Sequence, residues 1–347
     1  MTNREPGTRS EKPVNRIALI ALAAVTLCLI AASVDAGAPR DGDQFVNLVG
    51  HRDRPGPLVM WPFLLRKAWT SLVGRGSSAP FVAYDPDALK ENPSITWIGH
   101  ATMLVRMDGV TLLTDPMFSE RASPIAFLGP KRLVPPGVPL DTLPPIDFVT
   151  LSHSHYDHTD LPSIAALAKR GTRFIVPLRM GELVRDEGGE AVELDWWDSI
   201  DIGPVRVYCV PVQHFSGRTL TDTNERLWAG WVVVGPTRRF FHAGDTGYFE
   251  GFKEIGERLG PIDLAALPIG AYEPEAIMRF VHENPAEALQ TALDVRAARV
   301  VGMHYGTFDL TDEPPDEPPR VLRAEADKRG LSADQVWTMS IGETRRW

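Results

Sequence analysis

Cysteine and clustered positive charge are both scarce in this 347-residue chain, and each scarcity removes a class of protein. Only two cysteines occur, Cys28 inside an apolar run and Cys209 inside a predicted strand, so no disulfide framework is expected to hold the fold. Cys209 is expected to be a small buried hydrophobe. No long Lys/Arg block offsets the formal charge of −9, which argues against a nucleic-acid partner. Internal repeats and low-complexity arrays are absent as well. What remains is ordinary globular composition, 44% hydrophobic and 23% charged, enough for a sizeable core.

Residues 1–38 stand apart. Arg4, Arg9, Lys12 and Arg16 precede an uncharged apolar run from Ile17 to Val34, followed by Ala36-Gly37-Ala38. Such a run is at the lower limit for a bilayer-spanning helix. The same pattern also fits a cleavable secretory signal. Both readings, retained membrane anchor and removed export signal, place the bulk of the chain outside the inner face, since basic residues before the run stay cytoplasmic. The leader resembles a bacterial export signal, and the expected location is the bacterial cell envelope, anchored in the inner membrane or released to its outer side.

Residues 39–92 read as a Pro/Gly-punctuated extension packed on the main domain, with short helical pieces and an aromatic patch from Trp61 through Trp69. The main domain is expected over 93–347. Ile95–Ile98, Thr102–Met107 and Val110–Thr114 are predicted strands, with Asp108-Gly109 as a tight hairpin turn. The loop from Pro116 to Pro145 is long and irregular, and such loops are usually functional. Strands then alternate with helices: Phe148–Ser152, a helix capped by Asp160 with Pro162 in its first turn, Arg173–Val176, and a helix over Met180–Asp186. Predicted strands Val205–Val212, Leu227–Val234 and Arg239–His242 precede a helix at Gly247–Arg258. Strand Leu264–Leu267, helix Pro285–Val295, strand Val300–Met303 and a helix near Arg320–Lys328 complete a mixed α/β pattern.

Between Leu151 and Asp160 the chain reads L-S-H-S-H-Y-D-H-T-D. His153 and His155 can face one side of an extended segment, because side chains alternate with period two. Asp157 and His158 follow where the backbone has to turn, so their donors reach a second point nearby. This arrangement suits two divalent cations a few ångströms apart, which activate water for hydrolysis. Two cations need further donors, and the candidates sit where predicted strands give way to loops: His214, Asp245 and His304. His242, inside an apolar strand, is expected in the core, and His51, in a charged Pro-rich stretch, in solvent.

The H-x-H-x-D-H cluster, followed by single His, Asp and His residues at strand ends, resembles the metallo-β-lactamase superfamily. The phrases W-I-G-H-A-T (97–102), L-T-D-P-M-F-S-E-R-A-S-P (113–124), G-P-K-R (129–132), L-P-P-I-D (143–147), F-H-A-G-D-T-G-Y (241–248) and G-A-Y-E-P (270–274) narrow it further. Together they resemble the family of N-acylphosphatidylethanolamine-hydrolysing phospholipases D over residues 93–310. That resemblance implies an α/β fold, the four-layer αββα sandwich, with two zinc ions at one edge of its paired sheets; other divalent metals suit the same donors. It implies that His153, His155 and His214 bind one zinc, that Asp157, His158 and His304 bind the other, and that Asp245 bridges. It also implies a homodimer. A carboxylate bridges where many β-lactamases of the superfamily place cysteine, which disfavours antibiotic hydrolysis. His155 stands where the redox di-iron branch has glutamate, which disfavours redox chemistry.

The expected reaction is attack on a phosphodiester by a hydroxide shared between the cations, with N-acylethanolamine and phosphatidic acid as products and Asp157 helping to orient the nucleophile. His282, in R-F-V-H-E-N-P, is expected to act on the substrate side. Tyr272 and Glu273 would line the entrance. His100 either orients a ligand or serves as a turn histidine. The 116–132 loop, with Trp61, Phe63 and Trp69 beside Arg66, Lys67, Lys131 and Arg132, either suits a headgroup boundary or buries the extension against the sandwich; a phospholipid substrate and a membrane surface are the expected partners. A lactonase or small-phosphodiester hydrolase on the same scaffold is the alternative, because fold does not fix substrate. A binding protein without turnover is disfavoured, since all seven ligand positions are filled.

Overall fold

The computed structural model describes Met1 and residues 37–50, 55–73, 78–125, 127–219 and 221–347. The apolar run of the leader and His51 lie outside the described residues. Among the described residues no helix is long and apolar enough to cross a membrane.

A two-strand ladder, β1 (Arg40–Asp41) with β2 (Gln44–Phe45), precedes a 17-residue helix, α1 (Pro57–Val73). The short helical pieces expected here are thus one continuous helix. Pro57 occupies a first-turn position where no N–H is missed, and Pro62 removes one ladder bond without ending the helix. Strands β3 (Ser94–Gly99), β4 (Thr102–Met107) and β5 (Val110–Thr114) form an antiparallel meander. Then β6 (Phe148–Thr150), β7 (Arg173–Pro177) and β8 (Glu190–Leu194) add in parallel, with α2 (Leu161–Ala168) and α3 (Gly181–Asp186) in the connections.

The second half repeats that plan. Strands β9 (Ser199–Ile202), β10 (Val205–Val210), β11 (Gly230–Val234) and β12 (Arg239–His242) are antiparallel. Parallel strands β13 (Leu264–Pro268), β14 (Val300–Met303) and β15 (Val336–Trp337) follow. Their connections carry α4 (Gly251–Leu259), α5 (Glu275–Met278), α6 (Pro285–Asp294) and α7 (Pro318–Lys328). The last strand, β16 (Thr344–Arg346), returns to β3. The result is two seven-stranded sheets, ordered β16-β3-β4-β5-β6-β7-β8 and β15-β14-β13-β12-β11-β10-β9.

Alternation along the strands sets the layers. Val105, Leu112, Phe148 and Ile175 join the core shared with Val207, Cys209, Trp231 and Val233 of the other sheet. Their neighbours Leu104, Leu113, Val149 and Phe174 face the opposite way, onto Ile164 and Leu167 of α2 and Val184 of α3. Helices outside two face-packed sheets make a four-layer αββα sandwich. Cys209 and His242 are both buried, His242 with its Nε2 3.1 Å from the Ala101 carbonyl.

Three departures from the sequence expectation bear on the site. The strand predicted over 205–212 stops at Val210, because Pro211 has no N–H to continue the ladder. The helix predicted from Gly247 begins at Gly251; Gly247 instead donates its N–H to the Gln213 carbonyl at 2.8 Å and braces the turn before His214. Asp160 precedes α2 as expected, yet its carboxylate makes no cap bond and accepts the Phe118 and Ser119 N–H groups at 3.2 and 3.0 Å. It ties the start of the 116–132 loop to α2.

Candidate metal centre

Each donor in the centre follows the carboxyl end of a strand. His153, His155, Asp157 and His158 follow β6, His214 follows β10, Asp245 follows β12, and His304 directly follows β14. Buried indoles fix two of these strand ends and that of β3: Trp231 donates to the Leu151 carbonyl, Trp228 to that of Val212, and Trp97 to that of His100, each at 2.9 Å. His100, Asp115 and His304 hold positive φ angles of 54°, 36° and 62°. Such backbone costs about 1–3 kcal/mol at each non-glycine position, so the surrounding packing has to enforce it.

Hydrogen bonds assign the imidazole faces. His214 donates from Nδ1 to the Val281 carbonyl at 2.8 Å, and His158 from Nδ1 to Asp115 Oδ2 at 2.8 Å. Ser152 Oγ donates to Asp115 Oδ2 at 2.6 Å and therefore accepts from His153 Nδ1 at 2.9 Å. All three rings consequently turn Nε2 to the centre, unprotonated in the neutral His153 and His214, while Asp245 and Asp157 hold a proton on His158 that a cation would displace. His155 turns its Nδ1 inward, 2.8 Å from His153 Nε2 and 3.3 Å from His214 Nε2. Nitrogens around a tetrahedral zinc at 2.0–2.1 Å would be roughly 3.3 Å apart, close to this spacing.

The second group is mixed. Asp157 Oδ2 lies 2.9 Å from His100 Nε2, 3.5 Å from His304 Nε2 and 3.6 Å from His158 Nε2. Asp245 faces both groups. Its Oδ2 is 3.1 Å from His158 Nε2 and 3.8 Å from both His153 and His214, while its Oδ1 is 3.1 Å from His304 Nε2. The structure thus brings all seven expected donors together.

Their protonation fits cation binding. Burial works against charge on Asp157 and Asp245, yet His158 and the neighbouring imidazoles outweigh it and hold both well below the usual carboxylate range. His153 and His214 lie well below the usual imidazole value, first because burial penalises charge. His304 is pushed up to about 9, burial opposing and Asp245 and Asp157 prevailing. The carboxylates therefore demand positive charge at this point. Buried His158 Nε2, His304 Nε2 and Asp245 Oδ1 meet no partner in hydrogen-bond geometry, a costly condition that coordinated cations would relieve. The residues fit two divalent ions.

His100 is buried, bonded to Asp157 and packed with its ring centre 4.0 Å from that of His304, the rings tilted by 41°, the position of a group that orients a ligand. His282 reaches the rim, its Nε2 4.0 Å from Asp245 Oδ2, with burial lowering its pKa to about 3. It lines an adjoining groove of about 250 Å³ with Tyr272 and Glu273. Those two are held by the far wall instead, the Tyr272 hydroxyl by Glu317 at 2.7 Å and the Glu273 N–H by Glu313 at 3.1 Å.

Two features went unread in the sequence. Asp115, fully buried, supports His158 directly and His153 through Ser152; its only signal is an aspartate one residue past a strand that pairs with β6. A larger groove of about 480 Å³ opens beside the 116–132 loop, where the Arg218 guanidinium stacks 4.0 Å above the Tyr156 ring between ligand candidates His155 and Asp157.

Residues 111–305 match the family model of the beta-lactamase superfamily domain. The chain is 40% identical over 266 residues to the N-acyl-phosphatidylethanolamine-hydrolyzing phospholipase D 1 of Caenorhabditis elegans, covering 72% of this chain and 74% of that protein. It is 30% identical over 262 residues to a metal-dependent hydrolase of Anaeromyxobacter sp. (strain K), covering 71% of this chain and 86% of that one. A solved isothiocyanate hydrolase from Delia radicum gut bacteria shares the fold at a TM-score of 0.59 and 21% identity, over 73% of this chain and 99% of that chain.

Proposed function

Because the chain belongs to the metallo-β-lactamase superfamily and is a metal-dependent hydrolase, we propose that it is a zinc phosphodiesterase of phospholipase D type. Its substrates are N-acylphosphatidylethanolamine-like phospholipids, and its products are N-acylethanolamine and phosphatidic acid. The observation that carries this reading is the Asp245 carboxylate, which faces the imidazole group and the mixed group at once. The substrate class follows the relative of 40% identity.

His153, His155 and His214 would hold one ion, and Asp157, His158 and His304 the other. Two divalent ions between these donors would bring a water toward a pKa of about 7 and neutralise charge building on the phosphate oxygens. The protein supplies the rest. His100 holds Asp157 in place through its 2.9 Å bond, and Asp115 keeps His153 and His158 turned inward. Neutral His282 at the rim offers a hydrogen bond to a substrate oxygen without adding positive charge. Arg218 and Tyr156 give the larger groove a cationic, flat wall suited to the polar part of a lipid.

Mass-spectrometric product analysis of the zinc-loaded full chain with mixed phospholipids, in heavy-oxygen water, tests the reading. The expected result is N-acylethanolamine together with phosphatidic acid carrying the heavy label, since water attacks phosphorus. Diacylglycerol, free fatty acid or an unlabelled phosphate would replace this reading with another hydrolysis.

A further inference from the structure

Helix α1 is mounted with its charges inward and its largest apolar side chains outward. Lys67 bonds Asp309 Oδ1 at 2.6 Å and the Thr311 carbonyl at 2.7 Å, Arg66 pairs with Asp312, and Phe63 is only 7% exposed. On the other side Leu58, Trp61, Leu65 and Trp69 are 92%, 63%, 66% and 65% exposed. Their spacing, i, i+3, i+7 and i+11, makes one continuous stripe along the helix. Soluble helices bury such a stripe, and exposed apolar patches of this kind mark interaction sites.

A second apolar projection stands nearby. Ile125, Phe127 and Leu128 are 40%, 82% and 54% exposed at the tip of the 116–132 loop. The base of that loop is rigid. Asp160 holds the 118 and 119 amides, and the half-buried Arg132 holds the carbonyls of Met117 and Ser119. Gly129, at φ +97°, closes the loop so tightly that a Cβ there would lie 2.7 Å from the Ser123 side chain. Arg132 pairs with Phe308 through a β-bridge and sits 5.2 Å over its ring, while the next residue, Asp309, holds Lys67. Loop and helix are thus mounted on adjacent residues of one segment, four and five residues beyond the ligand candidate His304.

We propose that the α1 stripe and the 125–128 tip form one platform that inserts into the headgroup boundary of a phospholipid bilayer and brings the metal centre to its substrate. Indole and aliphatic side chains together suit that boundary. In the full chain the sequence supplies a second point of attachment, the uncharged apolar run 17–34, separated from Pro57 by 22 residues. Because Arg66 and Lys67 are already paired, insertion is driven by apolar burial and tolerates salt. The choice of a lipid occupant rests on the phospholipase reading.

The tryptophans provide the test. Trp61 and Trp69 are exposed, the leader has no tryptophan, Trp97, Trp196, Trp228, Trp231, Trp337 and Trp347 are all at most 7% exposed, and Trp197 is half-buried with the Arg258 guanidinium 3.9 Å over its ring. The full chain is mixed with phosphatidylcholine vesicles whose acyl chains are brominated near the headgroup, and tryptophan quenching is read at low and high salt. The expected result is quenching at both salt levels, reduced by more than half in the Trp61→Phe/Trp69→Phe variant, where docking survives but the platform's reporters are gone and half-buried Trp197 remains as background. Leu65→Glu with Phe127→Glu should abolish the quenching while leaving hydrolysis of a water-soluble phosphodiester unchanged. Quenching that persists undiminished in the double Phe variant, or bound parent protein that shows none, overturns the platform. So does a concentration-dependent dimer broken by Leu65→Glu in place of quenching, which would assign the stripe to a second copy. Docking without phosphatidic acid formation would retain the platform and reject the phospholipase reading.

Discussion

The two donor groups meet at Asp245 but rest on different chemistry. In the group of His153, His155 and His214, His153 and His214 are neutral imidazoles braced by a serine hydroxyl and a backbone carbonyl. The other group contains the Asp157 carboxylate, and behind His158 stands a second one, Asp115. A carboxylate behind a histidine raises the basicity of its ligating nitrogen. The mixed group therefore concentrates negative charge where the imidazole group has none, and it should hold its cation more tightly. With an ion in each group, one fold would build two sites of unequal affinity from the ends of neighbouring strands.

The comparison predicts an order of damage. Asp245→Asn removes the charge both groups share, so it should give the largest loss. At a stake of roughly 4 kcal/mol, hydrolysis falls by about a thousandfold, and metal analysis after dialysis finds fewer than two ions per chain. Retention of two ions with full activity would remove Asp245 from the bridging position. Asp157→Asn strikes only the mixed group. Activity should fall by roughly a hundredfold. Chelator titration should change from two steps in the parent to nearly one, because the tighter site is lowered to the level of the imidazole site. Two unchanged steps would remove Asp157 as the source of the difference between the groups.

Much of this asymmetry is legible from residue order. Four donors in six positions leave little but a metal loop at 153–158, and His214, Asp245 and His304 are identified by their places after apolar strands. The sheets follow from runs such as Val110–Thr114 and Leu264–Pro268, whose residues are all buried. Asp115 is invisible by the same logic, since one aspartate beyond a strand is common and its role depends on β5 lying beside β6. Helix α1 escapes for another reason. Pro62 and the lack of a polar face hide both its length and its orientation, and the Lys67–Asp309 contact that sets them joins residues 242 positions apart. The pairing of β16 with β3 is equally non-local.

The smallest predicted effects separate charge from mere connection. Asp115 and Ser152 belong to one chain of bonds, from His153 Nδ1 through Ser152 Oγ to the carboxylate that also receives His158 Nδ1. If support by a carboxylate distinguishes the groups, the two members are not equivalent. Asp115→Asn keeps the shape, removes the charge and leaves His158 with a weaker acceptor. Such changes behind a metal ligand cost about 10–100-fold in metal affinity or activity. Ser152→Ala removes a neutral relay to His153, a bond worth about 1 kcal/mol, so its loss should stay near fivefold and fall on the imidazole site. Zinc affinities measured for both variants decide the matter. Equal losses, or a larger one for Ser152→Ala, would show that orientation alone governs the centre and that the second carboxylate gives the mixed group no advantage.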